Sequence, residues 1–452
     1  MFTLNQKLVL SGIVIINILL AIYFFGMNLY LWWDEAVYLS LGKSILKGRY
    51  EIAPGRDTFR PVLFPFLIAL SFLIDGEVLV RIMIVIFTIF SIISTHYMGK
   101  KLFNVKTGLL AALVMLSFPL FIFNSNKILA EAVFLTFSSL AITTFYLGIE
   151  RNKKFLYLSA FFTGIGILTK YFGFFLLMIY FVYILFRKKI QIFKRRELYI
   201  SLIIFFLTLT PWFIINTIYY RNPIGGIFEN ADIFLPLPEN HPFYFFFTNS
   251  WEIFGLSAIF IPVGIFYALK DRKSNILLIS IYALIPFAFF SFMHHKEPRY
   301  LISFFPAFSC LIAFAIQNIP KRVRTFTYGL LLVALILGLY LGCKKIAYEE
   351  VDLDVLKEGS FFIKQMTHAD EYVMSESYPH LSYYADRMSI RPPIDKEKFY
   401  SLMEEYNITY VFVDDAELGN PSYLLGELRT TNFEEVKFFS NPQRTVTIYK
   451  KL

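Results

Sequence analysis

Apolar runs close to twenty residues long recur along this chain, and they limit its fold more than any other feature. A helix needs roughly 20 apolar residues to cross about 30 Å of hydrocarbon, and a spanning segment must satisfy its backbone polar groups internally. In the 452-residue sequence such runs fall at 8–28, 78–98, 107–123, 128–149, 155–169, 171–186, 198–218, 249–269, 274–293, 299–318 and 323–342. Those at 107–123, 155–169 and 171–186 are short, so their ends are soft. Composition agrees: 57% of residues are hydrophobic, 17% charged, and Phe alone contributes 53. So few charges could not keep that much apolar surface in water. The expected fold class is a polytopic α-helical membrane protein with about eleven spans.

Charge sets the expected topology. Residues 1–343 carry 30 Lys/Arg against 15 Asp/Glu, and residues 344–452 carry 13 against 19. The positive excess therefore belongs to the membrane part, where Lys and Arg fix orientation. The formal net charge of +9 is no sign of nucleic-acid binding. The run Pro61–Ile74 is ambiguous. If it does not cross, the loops at 99–106, 150–154, 187–197, 270–273 and 320–324 share a side with the N-terminus. Together with that terminus they hold 19 of the 30 cations and only three acids. Positive-inside bias thus favours a re-entrant or surface-lying 61–74 segment, which suits its prolines at 61 and 65. The N-terminus is then cytoplasmic and the C-terminal region extracytoplasmic. The first apolar run is too long for a signal-peptide core and reads as a retained span. Cys310 and Cys343 mark neither a disulfide framework nor a metal site.

Residues 344–452 differ in kind from the rest. Strand-like runs Glu371–Ser375, Ile408–Val413, Val436–Ser440 and Arg444–Tyr449 alternate with helical stretches near 352–366, 395–406 and 420–430. The expected organisation is a membrane domain over 1–343, with 29–77 as its first outer loop, and a small outer α/β domain over 344–452.

Charged residues at membrane depth are costly and need reasons. With this topology they gather on the outer side. Trp32-Trp33-Asp34-Glu35 and Arg56-Asp57-Thr58-Phe59-Arg60 lie in the first loop, and Glu131 opens the fourth span. Lys170-Tyr171 joins two spans, and His294-His295-Lys296-Glu297-Pro298-Arg299-Tyr300 joins two more. Each has a plain explanation. Asp34 could N-cap a helix over Glu35–Lys47, with Glu35 in its first turn, and Glu131 could favour its helix dipole. Lys170 could snorkel, Lys296 or Arg299 could anchor at the interface, and Pro298 suits a helix start. Four outer turns carrying acids beside cations at one level favour a site instead. Such a site would hold an anionic headgroup and remove a proton.

The run Asp34-Glu35-Ala36-Val37-Tyr38-Leu39, followed by Arg60-Pro61, resembles the first outer loop of the GT-C glycosyltransferases. Within that superfamily it is similar to the protein O-mannosyltransferase and aminoarabinose-transferase branch. His295-Lys296-Glu297-Pro298-Arg299-Tyr300 is similar to the H-K-E-x-R-(F/Y) run of its lipid-sugar-dependent mannosyltransferases. Val62 departs from the R-P-P-L pattern, and no second acidic pair occurs. The resemblance implies transfer of a sugar, a hexose such as mannose, from a polyprenyl- or dolichyl-phosphate carrier to an acceptor hydroxyl at the outer face, with inversion. The acceptor is a protein, a lipid or a glycan. It implies Asp34 as the base, with Glu35 and Glu131 orienting acceptor or sugar. Arg60, Lys170, Lys296 and Arg299 would face the donor phosphate, with Tyr171, His295 and Glu297 beside them. Phosphate leaves readily, so no general acid is required. A divalent cation fits such chemistry, but no ligand cluster marks a metal site. The competing classes are a transporter or flippase of lipid-linked sugars and a non-catalytic lipid-sugar binder. A transporter would place its charges near mid-membrane on broken helices.

Overall fold

The computed structural model describes residues 4–25, 30–54, 58–234, 241–271, 273–348, 353–417, 419–430 and 432–452. The first ten helices are α1 (Leu4–Phe25), α2 (Trp33–Leu46), α3 (Leu63–Phe72), α4 (Glu77–Leu102), α5 (Val105–Leu116), α6 (Pro119–Asn124), α7 (Glu131–Glu150), α8 (Phe155–Thr169), α9 (Phe174–Phe186) and α10 (Arg196–Tyr220). Later come the helices Phe260–Asp271, Ser274–Phe292, Phe305–Asn318 and Lys321–Tyr348. Among the described residues, eight helical stretches are long and apolar enough to cross a membrane. They coincide with eight of the eleven expected spans. The other three, at 107–123, 155–169 and 171–186, appear as the shorter helices Val105–Leu116, Phe155–Thr169 and Tyr171–Phe186. The run at 107–123 is broken because Ser117 and Phe118 leave the helix and Pro119 opens α6, as a first-turn proline does.

Two compact units are distinguished by their internal packing. The first comprises 1–25, 60–64 and 80–346, and the second comprises 26–59, 65–79 and 347–452. The division at 346/347 lies near the expected 343/344 boundary. Most of the first outer loop, however, groups with the C-terminal region rather than with the spans.

In the spanning unit, burial separates central from peripheral helices. The most apolar windows of Pro298–Asn318 and Glu131–Glu150 are 94% and 78% buried, whereas those of Gln6–Phe25 and Arg196–Tyr220 are 17% and 22% buried. The outer surfaces of the peripheral helices are Ile, Leu and Phe, such as Ile22, Ile203 and Leu207, suited to lipid. The chain is a multi-pass membrane protein. Helices α4 and α5 cross so closely that a Cβ on Gly99 would lie 2.8 Å from the Gly108 Cα.

The second unit holds a five-stranded sheet of β1 (Val373–Met374), β2 (Ser389–Ile390), β3 (Tyr410–Asp414), β4 (Phe433–Ser440) and β5 (Thr445–Lys451), in the order β2-β1-β3-β5-β4. β2, β1 and β3 are parallel, and β3, β5 and β4 are antiparallel. Alternation along β3 divides the core. Tyr410 and Phe412 face the helix Asp354–Met366, and Val411 and Val413 face the helix Lys396–Glu405. Tyr30 and Trp32 pack into the first of these layers. Four expected strands and three expected helices are present, with shifted ends. The two-residue β2 and the short helical arm Tyr378–Ala385 have no counterpart in the sequence reading. Helix α2 meets α3 at Gly42, where a Cβ would come 2.4 Å from Ile68. Side chains larger than hydrogen do not fit there.

Candidate functional site

The acidic pair sits in the second unit. Helix α2 begins at Trp33, with extended Trp32 as its N-cap, not at Glu35 as expected. Asp34 is therefore the second helical residue and is not the cap. It is half-buried. Glu35 does part of the capping instead: it is 1% exposed, and its Oε2 accepts from the Trp32 backbone N–H at 3.0 Å. Both acids lie in the first turn, where the helix dipole favours negative charge. Arg56 and Asp57 lie outside the described residues; Arg60 is half-buried and opens the 60–64 stretch of the spanning unit.

The cations of the spanning unit are tied together at the ends of several helices. Glu131, 3% exposed, is the first residue of α7, and Lys170 follows the last residue of α8. Their side chains form an ion pair at 2.7 Å. Lys170 also lies 4.7 Å from the centre of the Phe172 ring. Tyr171 accepts a hydrogen bond from the buried indole N–H of Trp212 at 3.1 Å. Phe172 in turn meets Tyr300 edge to face at 5.8 Å. That contact links the Lys170 turn to the His294–Tyr300 run.

Within that run Glu297 is the hub. Arg299 spans both its carboxylate oxygens, through Nε to Oε2 and through Nη2 to Oε1 at 3.1 Å. His295 Nε2 lies 3.2 Å from Glu297 Oε1, and the Tyr300 hydroxyl donates to the same oxygen at 3.3 Å. Lys296 points elsewhere. It is 3% exposed and donates to the His241 carbonyl at 2.6 Å. The structure thus pairs Lys170 with Glu131 and Arg299 with Glu297, so each cation reaches a further anion only by sharing or exchanging its carboxylate.

Sequence reasoning missed a second group in this unit. Lys127, 1% exposed, precedes α7, and Lys345 closes the last long helix. Their ammonium groups lie 5.6 and 5.1 Å from the centre of the Phe123 ring, and Lys345 is bound to Glu252 at 2.5 Å. The available signal was a lysine four residues before Glu131 in an otherwise apolar stretch. Lys345 gave none, because it falls just beyond the apolar run. Among the described residues no group of three or more His, Cys, Asp or Glu side chains is placed to hold a metal ion.

In the spanning unit, carboxylates and cations are thus paired at helix ends and linked by aromatic contacts. Known proteins agree with the fold. Residues 59–215 match the family described as dolichyl-phosphate-mannose-protein mannosyltransferase. Solved structures resemble nearly the whole chain. ArnT from Cupriavidus metallidurans, bound to undecaprenyl phosphate, has a TM-score of 0.74 at 14% identity, covering 97% of this chain and 98% of that one. The oligosaccharyltransferase AglB from Archaeoglobus fulgidus, in complex with an inhibitory peptide and a dolichol-phosphate, has a TM-score of 0.66 at 14% identity, covering 91% and 70%. The chain shares the fold of these solved structures, as the sequence resemblance implies. An uncharacterised protein of Aquifex aeolicus (strain VF5) is 25% identical over 334 residues, which are 71% of this chain and 66% of that protein. The match thus spans just under two thirds of that relative's length.

Proposed function

We propose that this protein transfers a sugar from a polyprenyl-phosphate carrier to an acceptor hydroxyl at the outer membrane face, with inversion at the sugar carbon. The observation that carries this reading is the linked set Glu131–Lys170 and His295–Arg299, where buried charges gather at helix ends rather than midway along spans. That placement suits a lipid headgroup and disfavours a transport path. The donor is a hexosyl phosphate lipid such as the mannosyl form, in keeping with the matched family's description.

In the reaction the acceptor oxygen attacks the anomeric carbon while Asp34 takes its proton. The bond to the carrier phosphate breaks, and its electron pair leaves with the phosphate. Growing negative charge there is stabilised by cations already in place. Arg299 would exchange Glu297 for two phosphate oxygens, Lys170 would share Glu131, and Arg60 and Lys296 would add charge from their own positions. Glu35 and Glu131 hold the first turn of α2 and Lys170 in position. Tyr171, His295 and Glu297 fix the geometry around them.

The test is transfer by the purified protein from a panel of polyprenyl-phosphate sugars, with Asp34→Asn beside the wild type. Loss of a general base typically costs on the order of 10²–10⁴ in rate, with donor binding little changed. Near wild-type transfer by the Asn variant would remove Asp34 from the mechanism. Absence of transfer from every donor by a folded wild type would remove the reading itself.

A further inference from the structure

Helix α2 carries the acidic pair, and one arm of the C-terminal region touches it from end to end. The contacts are spread along its length. His380 Nε2 donates to the Leu31 carbonyl at 2.9 Å, just before the helix, and Tyr378 meets Trp33 edge to face at 5.3 Å. Ser40 Oγ donates to the Pro379 carbonyl at 3.2 Å. Lys43 Nζ donates to the Tyr383 carbonyl at 2.8 Å and lies 4.1 Å from the centre of the Tyr383 ring. Lys47 pairs with Asp386 at 2.7 Å. All of these residues belong to the second unit.

The arm is itself held at both ends. Ser377 Oγ donates to Asp414 Oδ2 at 2.9 Å, and that carboxylate also binds Arg444 at 2.7 Å, which fixes the arm's start to β3 and β5. At its finish Arg387, 7% exposed, donates to the Thr367 carbonyl at 2.6 Å and to the Ala385 carbonyl at 3.0 Å. Between these pins the chain makes a π-helical turn, Leu381–Ala385, and ends it with Asp386 at φ +58°. The turn adds no strand and caps no long helix. Its Tyr383 serves α2 and donates its hydroxyl to Glu77 at 2.5 Å, while Leu381, Tyr384 and Ala385 pack against the helix Asp354–Met366.

We infer that the Tyr378–Asp386 arm positions the acid-bearing first turn of α2, and that His380 is its main positioning residue. The inference rests on the proposed role of Asp34. His380 is 2% exposed and reaches the Leu31 carbonyl while its Nδ1 has no hydrogen-bond partner among the described residues. A buried polar atom without a partner destabilises, and an aliphatic residue would avoid that cost. What histidine supplies is a rigid ring with a donor at its far edge, set against Trp33. Tilting the first turn would move the base relative to the acceptor. A shift of about 1 Å in a reacting group can cost roughly a hundredfold.

The experiment compares His380→Leu, which removes the donor, with His380→Gln, whose amide can reach the same carbonyl. Two readouts are used, transfer kinetics and amide hydrogen exchange, both on the full-length protein in detergent. Expected for His380→Leu is faster exchange confined to residues 33–39, and kcat lower by roughly 10- to 100-fold with the donor KM within about twofold. His380→Gln should recover most of both. If a folded Leu variant kept wild-type kcat, or if exchange rose throughout the C-terminal sheet instead of at α2, the arm would be a structural prop and the inference would fall. If His380→Leu does not accumulate, Lys43→Met breaks the arm contact at the other end of α2 and is read in the same way. A wild type without transfer activity sinks the functional reading alone, because exchange at α2 still reports whether the arm sets the helix.

Discussion

Two side chains show how much a single residue decides here. Arg299 looked in sequence like either an interface anchor or a phosphate ligand. The structure adds that its fork is closed on Glu297, and a snorkelling arginine would not need that partner. Lysine keeps the charge but loses the two-point geometry. Arg299→Lys should therefore fold and cost roughly 2–4 kcal/mol of transition-state stabilisation, about 30- to 1000-fold in kcat/KM for the lipid donor. Undiminished transfer would return the whole run to anchoring. His380 gives a pH dependence. Burial, only partly offset by its bond to Leu31, lowers its pKa from 6.5 to about 4. The unfolded chain then binds the proton more readily, so the contribution of this site is intact above about pH 6.5 and is lost as pH falls towards 4. The drop amounts to roughly 3 kcal/mol at most. Glu417 acts in the opposite sense, because burial and nearby Asp414 raise its pKa to about 7; its contribution is full below about pH 4.5 and is lost as pH rises through 7. Because Glu417 is common to both proteins, the midpoint of wild type minus that of His380→Gln should decrease as pH goes from 7.5 to 5, and a constant difference would mean that His380 does not sense the proton.

Helix α2 shows at the scale of an element what a sequence can and cannot disclose. Its existence was legible from the apolar spacing after Asp34. Its start was not, because Asp34 is a preferred N-cap residue type and Trp32 is not. The structure puts Trp32 at the cap and Asp34 inside the first turn, and Glu35 reaches back to the Trp32 N–H. Glu35→Ala should accordingly cost about 1 kcal/mol of local helix stability, seen as faster exchange at the first turn, with the spans unaffected. Exchange unchanged at residues 32–36 would show that the cap is not Glu35. The long spans were read correctly because apolar length alone announces them. The C-terminal arm was invisible for the opposite reason. Eight residues of mixed character, with a π turn that matches neither helical nor strand periodicity, carry no pattern to find. β2 was lost to its length of two residues. In the candidate site, the structure pairs Glu131 with Lys170 and Glu297 with Arg299, residues the motifs named singly, while the contacts of Lys127, Lys345 and His241 were not legible because they form only through folding.

Across the whole molecule the functional reading depends on sidedness. The acid-bearing loop, the helix ends with their ion pairs and the sheet domain must all face the same compartment, whereas the cation-rich loops must face the other. The positive-inside argument places α3 without letting it cross, and its ten residues are too few for an untilted span. Single cysteines test this directly in a background with Cys343→Ser; Cys310 is buried. Asp75→Cys follows α3, Lys437→Cys lies on β4, and Arg322→Cys lies in the first turn of the helix Lys321–Tyr348, within the expected positive loop 320–324; all three positions are exposed. An impermeant thiol reagent added to intact cells should label positions 75 and 437, and should label 322 only after the membrane is opened. If 75 reacted only after the membrane is opened and 322 reacted from outside, α3 would cross and every loop after it would change sides. The Lys170 and His295–Arg299 turns would then lie on the cytoplasmic side, and the proposed transfer at the outer face would lose its phosphate-binding cations.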